Sequence, residues 1–473
     1  MSNSWDLSNT LKNHRRFSPP MPLSPFFNAK SIAVIGASRT PCHVGNVIVQ
    51  NFLRSGYKGR LFPINPHAGE ILGVRCYPSV TAVKERIEQA IIAVPAEAVL
   101  QVIRDCAKKR IRHVVIITAG FGEVGNHTLQ NKLGRLLRKH GIRAIGPNCL
   151  GVYDAQTGID SVFIPWERIR RPPAGSLTIL SQSGALGSTL LDLASLEHIG
   201  INKFVSYGNA VDIDITDLLV YLKDDRSTRA ICAYIEGLRD GRAFLRAAKA
   251  VTAKKPLIVL KGGTTKAGSK AALSHTASLA GSAEVYRGAF QQVGCIIAKS
   301  FEEFVDLAEI FAKAPPAKGN RVAIITNSGG HAILASDAME RHGLPFAPFT
   351  AQTTKALGRT LAPVPVKNPL DLLGDATAER YRLALDACIR DRTVDIILLM
   401  CMPQTPLIEV PQLLSVVALA ARKTKKPIIC VTSGSTFAEQ LKTELERIGL
   451  PCYHFPEEAV RSMAKFVEYY HKK

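Results

Sequence analysis

The sequence predicts an α/β protein built from three consecutive doubly wound domains. Two features carry that expectation. Short runs rich in Val and Ile end in Gly, Pro, Asn or Ser and alternate with longer, charged amphipathic stretches, the rhythm of βαβ units around a parallel sheet. Inside the runs the apolar residues are continuous rather than alternating, as strands covered on both faces require. A length of 473 residues agrees, at about 150 residues per domain.

Residues 1–25 are polar and proline-rich and are expected to form a flexible arm. The strands of a first domain, 26–170, are SIAVIG (31–36), RLFPIN (60–65), AIIAVP (90–95), HVVIITAG (113–120) and RAIGPN (143–148). Pro172, Pro173 and Gly175 then break the chain. A second domain, 171–315, follows with LTILSQ (177–182), KFVSYG (203–208), AICAYIEG (230–237) and PLIVLKGG (256–263). PPAKGN opens a third, 316–473, with RVAIITNSGG (321–330), DIILLMCM (395–402) and PIICVTSG (427–434). Ligands of such domains bind at the carboxyl ends of the strands, where helix N-termini collect.

Lys and Arg number 60 against 39 Asp and Glu, a net charge of +21. The first 170 residues hold 23 basic and 10 acidic side chains, a net +13, so a polyanionic ligand is sought there first. The ten cysteines show no C-x-x-C and no metal-ligand spacing, which predicts reduced, mostly buried thiols, no metal site and a cytoplasmic protein. No signal peptide is expected at the N-terminus. The apolar stretch 395–421 holds three prolines and Glu409, so no membrane span is expected either. Basic clusters such as Lys108-Lys109-Arg110 are expected to be solvated faces, and no nucleic-acid motif accompanies them.

Four strand ends and one loop carry residues with chemistry. Gly36 opens a small-residue loop that leads into a helix, suited to phosphate. The fingerprint G-x-G-x-x-G is missing, and Asn65-Pro66-His67 stand where an NAD enzyme would place an acid. That favours a nucleotide with extra phosphate, although Ser38 could simply cap a helix and Gly36 simply make a turn. Ser181-Gln182-Ser183-Gly184 opens a helix at Gly184 and Ala185, where free N–H groups and the Ser183 hydroxyl suit phosphate; a plain N-cap fits equally. Glu236 ends a strand. It could orient an imidazole or pair with nearby Arg239 or Arg242. His275 stands among small residues in SHTASLAGS, and a neutral imidazole is a competent nucleophile.

In this order and spacing, SIAVIGAS, INP, AVPAEAV, TAGFGE and GPNCLGV, then SQSGALG, SYGN, YIEG, SHTASLAGS, TNSGGH and NPLDLLGDAT, resemble the NDP-forming acyl-CoA synthetases. That superfamily includes ADP-forming acetate–CoA ligase and succinyl-CoA synthetase. The resemblance runs over residues 26–470. It implies a Rossmann-like CoA-binding domain followed by two flavodoxin-like domains. Within it Ser38 and Arg39 would contact CoA phosphates, Gly36, Asn65 and His67 would belong to the same cofactor site, and Val94, Pro95 and Ala96 would line the adenosine or pantetheine path. Gly120 and Phe121 would lie near that tail, and Asn148 and Cys149 close to the thioester. His275 would carry the phosphoryl group, Glu236 would orient it, and Ser183, Gly184 and Ala185 would bind phosphate.

Two positions depart from the family pattern: His67 stands where Lys is frequent, and Ala277 where Gly is usual. His67 would weaken CoA binding or make it pH-dependent; Ala277 would strain the loop if its φ is positive. The third domain and His331 are expected to be structural. No P-loop or ATP-grasp domain is found, so the expectation is an α subunit of an acetate–CoA ligase (ADP-forming). Its ATP-grasp β partner, in an assembly such as α2β2, would hold Mg2+ with ADP or ATP. The alternative is a non-catalytic CoA- or acyl-CoA-binding regulatory module.

Overall fold

A computed structural model describes residues 21–265, 267–268 and 282–471. The first sheet begins with β1 (Ser31–Ile35) and β2 (Arg60–Ile64). A small antiparallel hairpin of β3 (Glu70–Ile71) and β4 (Val74–Arg75) interrupts it. Then β5 (Gln89–Ile92), β6 (His113–Ile116) and β7 (Arg143–Ile145) complete the order β2-β1-β5-β6-β7, all parallel. Because β1 lies between β2 and β5, successive crossovers leave it in opposite directions, which opens a crevice at its carboxyl end.

The second sheet is built from β8 (Val152–Asp154), β9 (Ile159–Asp160), β10 (Ala174–Ser181), β11 (Ile201–Ser206), β12 (Ala230–Ile235), β13 (Leu257–Lys261) and β14 (Ile296–Ala298). Its order is β14-β13-β12-β10-β11-β8-β9. The third contains β15 (Val322–Thr326), β16 (Leu370–Asp371), β17 (Ile396–Met400), β18 (Ile428–Val431) and β19 (Cys452–Tyr453), in the order β16-β15-β17-β18-β19. The doubly wound α/β fold is as the periodicity indicates.

Successive residues of the second sheet point to different cores. Leu180, Val205, Ile231 and Val259 join a cluster shared with Phe26, Ile32, Val115 and Ile145 of the first unit. Leu177, Ile179, Phe204 and Ile258 face a cluster shared with Ile324, Leu398, Met463 and Phe466 of the third. A strand with both faces buried has no polar side, hence the unbroken apolar runs.

Two expectations differ from the structure. The arm does not extend to residue 25. Leu23, Phe26 and Phe27 are buried, the helix Pro25–Asn28 packs on the core, and the His113 ring meets the Pro22 carbonyl at 3.0 Å. Secondly, the chain changes sheet before the proline break at 172–173. The hairpin β8–β9 pairs antiparallel with β11, through Phe204↔Tyr153, and covers what would otherwise be an open sheet edge. Fully buried Asp160 locks it in place, bonded by Arg171 Nε at 2.8 Å and Trp166 Nε1 at 3.0 Å. No helix among the described residues is long and apolar enough to cross a membrane.

Candidate functional site

At the end of β1 the chain turns through Gly36 with φ +91°, and a Cβ there would sit 2.4 Å from the Ala93 carbonyl oxygen. Only glycine fits. The loop closes onto the helix Val44–Arg54, and Asn46 Nδ2 donates to the Ser38 carbonyl at 2.8 Å. Asn65 acts as a clamp. Its amide donates to the Ala37 carbonyl (2.7 Å) and accepts from the His67 N–H (2.8 Å). Arg39 Nη2 donates to the His67 carbonyl at 3.2 Å, and Ser38 Oγ accepts from the Thr40 N–H at 3.1 Å. Gly36, Ser38, Arg39, Asn65 and His67 thus form one loop pair, with the Arg39 and His67 side chains exposed.

Val94 and Pro95 follow β5, and the helix Ala96–Lys108 starts beside them. The Thr118 hydroxyl donates to the Val94 carbonyl at 2.7 Å. Gly120, at φ +103°, passes so close that its Cβ would come within 3.1 Å of the Ala96 methyl. Phe121 differs from its expected role: its side chain is fully buried in the first unit's core, and only its backbone reaches this end of the sheet. The Gly120 and Phe121 amides both donate to Glu123 Oε1. Burial opposes ionisation of Glu123, but the Asn209 amide and these backbone bonds outweigh it and hold the carboxyl below its usual range.

Asn148, in a left-handed conformation at φ +56°, donates through Nδ2 to Asn209 Oδ1 at 3.2 Å, and so joins the first unit to the second. Cys149 is buried, its thiol donating to the Ile116 carbonyl at 3.3 Å, and burial pushes its pKa up to about 12. It is a neutral wall group, not a nucleophile.

In the second unit Ser183 caps the helix Gly184–Leu196, accepting from the Leu186 N–H. Between the first two units lies a cleft of about 730 Å³. Of the expected residues, Val94, Asn148, Cys149, Ser183, Gly184 and Ala185 line it. So does Val44, the first residue of the helix Val44–Arg54, so two helix N-termini open on one space and make it favourable for anions. Gly36, Ser38, Arg39, Asn65, His67, Pro95, Ala96 and Gly120 gather at the same carboxyl edge, outside the lining residues.

Glu236, at the end of β12, is 8% exposed and sits behind Gln182, a cleft residue. Its N–H and that of Gly237 donate to Gln182 Oε1 at 2.8 and 3.1 Å. Tyr234 shares a side-chain hydrogen bond with its carboxylate, and Lys261 Nζ donates to its carbonyl at 2.9 Å. Arg239, one proposed surface partner, instead pairs with Asp214 at 3.3 Å. His275 and Ala277 lie outside the described residues. Glu123, Gln182 and Asn209 were not singled out by the sequence reading, although each stands inside a motif it uses: TAGFGE, SQSG and SYGN. Their signal was a polar side chain next to a strand end; its partner lies 54 to 86 residues away. Among the described residues no group of three His, Cys, Asp or Glu is arranged to hold a metal ion.

Comparison with known proteins gives a consistent result. A CoA-binding domain matches residues 30–155, and a succinyl-CoA ligase-like flavodoxin domain matches residues 174–311. The chain is 38% identical to the α subunit of acetate–CoA ligase [ADP-forming] II of Pyrococcus furiosus, over 94% of this chain and 97% of that one. It is 41% identical to the acetate–CoA ligase [ADP-forming] of Methanocaldococcus jannaschii, covering 93% of itself but 62% of that longer chain. Among solved structures it superposes on the dinucleotide-forming acetyl-coenzyme A synthetase 1 of Ca. Korarchaeum cryptofilum, in complex with phosphate and ADP. The TM-score is 0.90 at 34% identity, over 95% of this chain and 97% of that one.

Proposed function

The chain belongs to the family of ADP-forming acetate–CoA ligase α subunits, and on that premise we propose that it performs the acyl and phosphoryl chemistry of such a ligase. One observation carries the site assignment: the helix starts at Val44 and Gly184 line a single cleft together with Asn148 and Cys149. CoA enters along Val94, Pro95 and Ala96, its phosphates held by the Gly36–Arg39 loop with Asn65 and His67, its tail passing Gly120 and the backbone of Phe121. The thioester lies at Asn148 and Cys149. Phosphate held by Ser183, Gly184 and Ala185 attacks the acyl carbonyl and CoA leaves as the thiol, giving acyl phosphate. His275 then takes the phosphoryl group and releases the carboxylic acid, acetate being the first acid to try.

Glu236 orients and charge-stabilises the imidazole. Its own position is defined by Gln182, Tyr234 and Lys261. ADP with Mg2+ receives the phosphoryl group on an ATP-grasp β subunit, in a cytoplasmic hetero-oligomer such as α2β2.

The test is phosphorylation. With partner, acyl-CoA and phosphate, the chain should gain an acid-labile, base-stable label that His275→Ala loses; a label that persists in that variant overturns the assignment. A non-catalytic acyl-CoA-binding module would bind CoA and take no label under any condition.

A further inference from the structure

The cleft is lined by both polar and apolar side chains. Beside the start of the helix Gly184–Leu196 the wall consists of Leu150, Phe163 and Ile164. Leu150 is nearest: a Cβ on Gly184 would lie 3.8 Å from its Cβ. The Phe163 N–H donates to the Leu150 carbonyl at 3.3 Å, so the two side chains are carried on paired backbone. Phe163 and Ile164 are only half-buried, and so present apolar surface to an occupant.

The backbone behind this wall is held rigidly. Asn51, fully buried, donates through Nδ2 to the carbonyls of Val162 (2.6 Å) and Ile164 (3.1 Å), and Arg171 Nη2 donates to the Ile164 carbonyl at 3.0 Å. Side chains that face a cleft from backbone fixed by buried donors form a preorganised contact surface. Among the described lining residues the one charged side chain is Glu123, whose carboxylate is already engaged by Asn209 and two amides.

We propose that Leu150, Phe163 and Ile164 are the specificity-determining wall for the acyl substituent. Phe163 sets the size of the substituent that the enzyme accepts. This rests on the function above, in which phosphate at the Gly184 helix start attacks the acyl carbonyl. Reacting atoms come within about 3–3.5 Å of one another, which puts the substituent against Leu150 and Phe163.

The experiment measures kcat/KM for acetate and phenylacetate in the complex with the nucleotide-binding partner, for the parent enzyme and Phe163→Ala. The ring removed and the ring added are the same size, so the phenylacetate-to-acetate ratio should rise about tenfold or more, with the KM for CoA held within about twofold. A ratio unchanged in an active variant overturns the proposal. Should Phe163→Ala not fold, Phe163→Leu and Ile164→Ala must raise the same ratio by about threefold, and a flat ratio in both overturns it equally. Absence of thioester from every acid in the parent, with CoA still bound, is a separate outcome that removes the proposed function itself.

Discussion

Two strand–turn–helix units in this molecule are built alike and placed differently. At the end of β10, the Ser181 hydroxyl donates to the Ser183 carbonyl, and Gln182 reaches the backbone of Glu236 and Gly237 beyond β12. At the end of β15, the Thr326 hydroxyl contacts the Ser328 carbonyl, and Asn327 accepts from the Met402 N–H beyond β17. Each turn then starts a helix, Gly184–Leu196 or Gly329–His342.

The surroundings separate them. The first helix start opens on the cleft, whereas the second has the Asp371 carboxylate 3.2 Å from where a Gly329 Cβ would be, and its Ser328 hydroxyl pairs with His331 at 2.8 Å. A carboxylate already at the positive end of a helix competes with an incoming anion. Turn chemistry makes an anion site; neighbours decide whether it stays open.

The comparison breaks most sharply at the crossing amides. Gln182→Leu leaves the N–H groups of Glu236 and Gly237 without their acceptor, at about 1–3 kcal/mol of stability, and releases Glu236. Turnover should fall by about a hundredfold or more. Asn327→Leu should cost a similar ~1–3 kcal/mol with only a few-fold loss of turnover, as read by denaturant unfolding beside steady-state rates. Equal losses of turnover would mean the two turns share one catalytic role.

A smaller effect separates the helix surfaces. A Cβ on Gly187 would lie 3.0 Å from the Phe204 ring and 3.1 Å from the Ser181 Cβ, while one on Gly330 meets nothing within 4 Å. Gly187→Ala should therefore destabilise by about 1–3 kcal/mol. Gly330→Ala should be neutral or stabilise by up to about 1 kcal/mol. Thermal midpoints of the two variants decide this.

The far ends of the helices differ in charge. Helix Gly329–His342 ends with Arg341 and His342 before Gly343, as its dipole favours. Helix Gly184–Leu196 ends on Glu197, which burial, then the nearby Glu309, push up from 4.5 to about 7 against the opposing pull of Lys442 and Lys313; Glu446 adds to the rise. A carboxyl whose folded pKa is raised binds its proton more tightly in the native state than in the unfolded one. Stability contributed by Glu197 is therefore full near pH 4.5, falls as pH rises to 7, and is flat above. Unfolding free energies at pH 5 and pH 7.5 should differ less in Glu197→Gln than in the parent, by on the order of 1–3 kcal/mol. An unchanged difference would remove this group from the pH dependence.

The principal strands were legible because doubly covered strands leave unbroken apolar runs. The hairpins β3–β4 and β8–β9 and the short strands β14, β16 and β19 were not, since two or three residues carry no period. The site was legible in part. Gly36 and Ser183 announce themselves through local geometry, a positive φ against a neighbouring carbonyl and an N-cap. Phe121 was placed near the ligand by its motif, yet packing turned its ring into the core. Glu123, Gln182 and Asn209 stand inside motifs at strand ends, but the partners that tie them across the cleft lie 54 to 86 residues away and no local pattern names them.

By itself the sequence determined three largely parallel sheets and the turns that end their strands, which follow from burial and steric preference among near neighbours along the chain, and its composition put the excess of positive charge in the first third. Tertiary structure alone decided that β8 and β9 close the second sheet, that Arg239 takes Asp214, and that Glu236 is held through Gln182. It also placed the helix starts at Val44 and Gly184 on one cleft, although 140 residues of chain separate them. Such pairings exist only when packing brings distant strand ends together, because a side chain's partner is chosen by the space left to it.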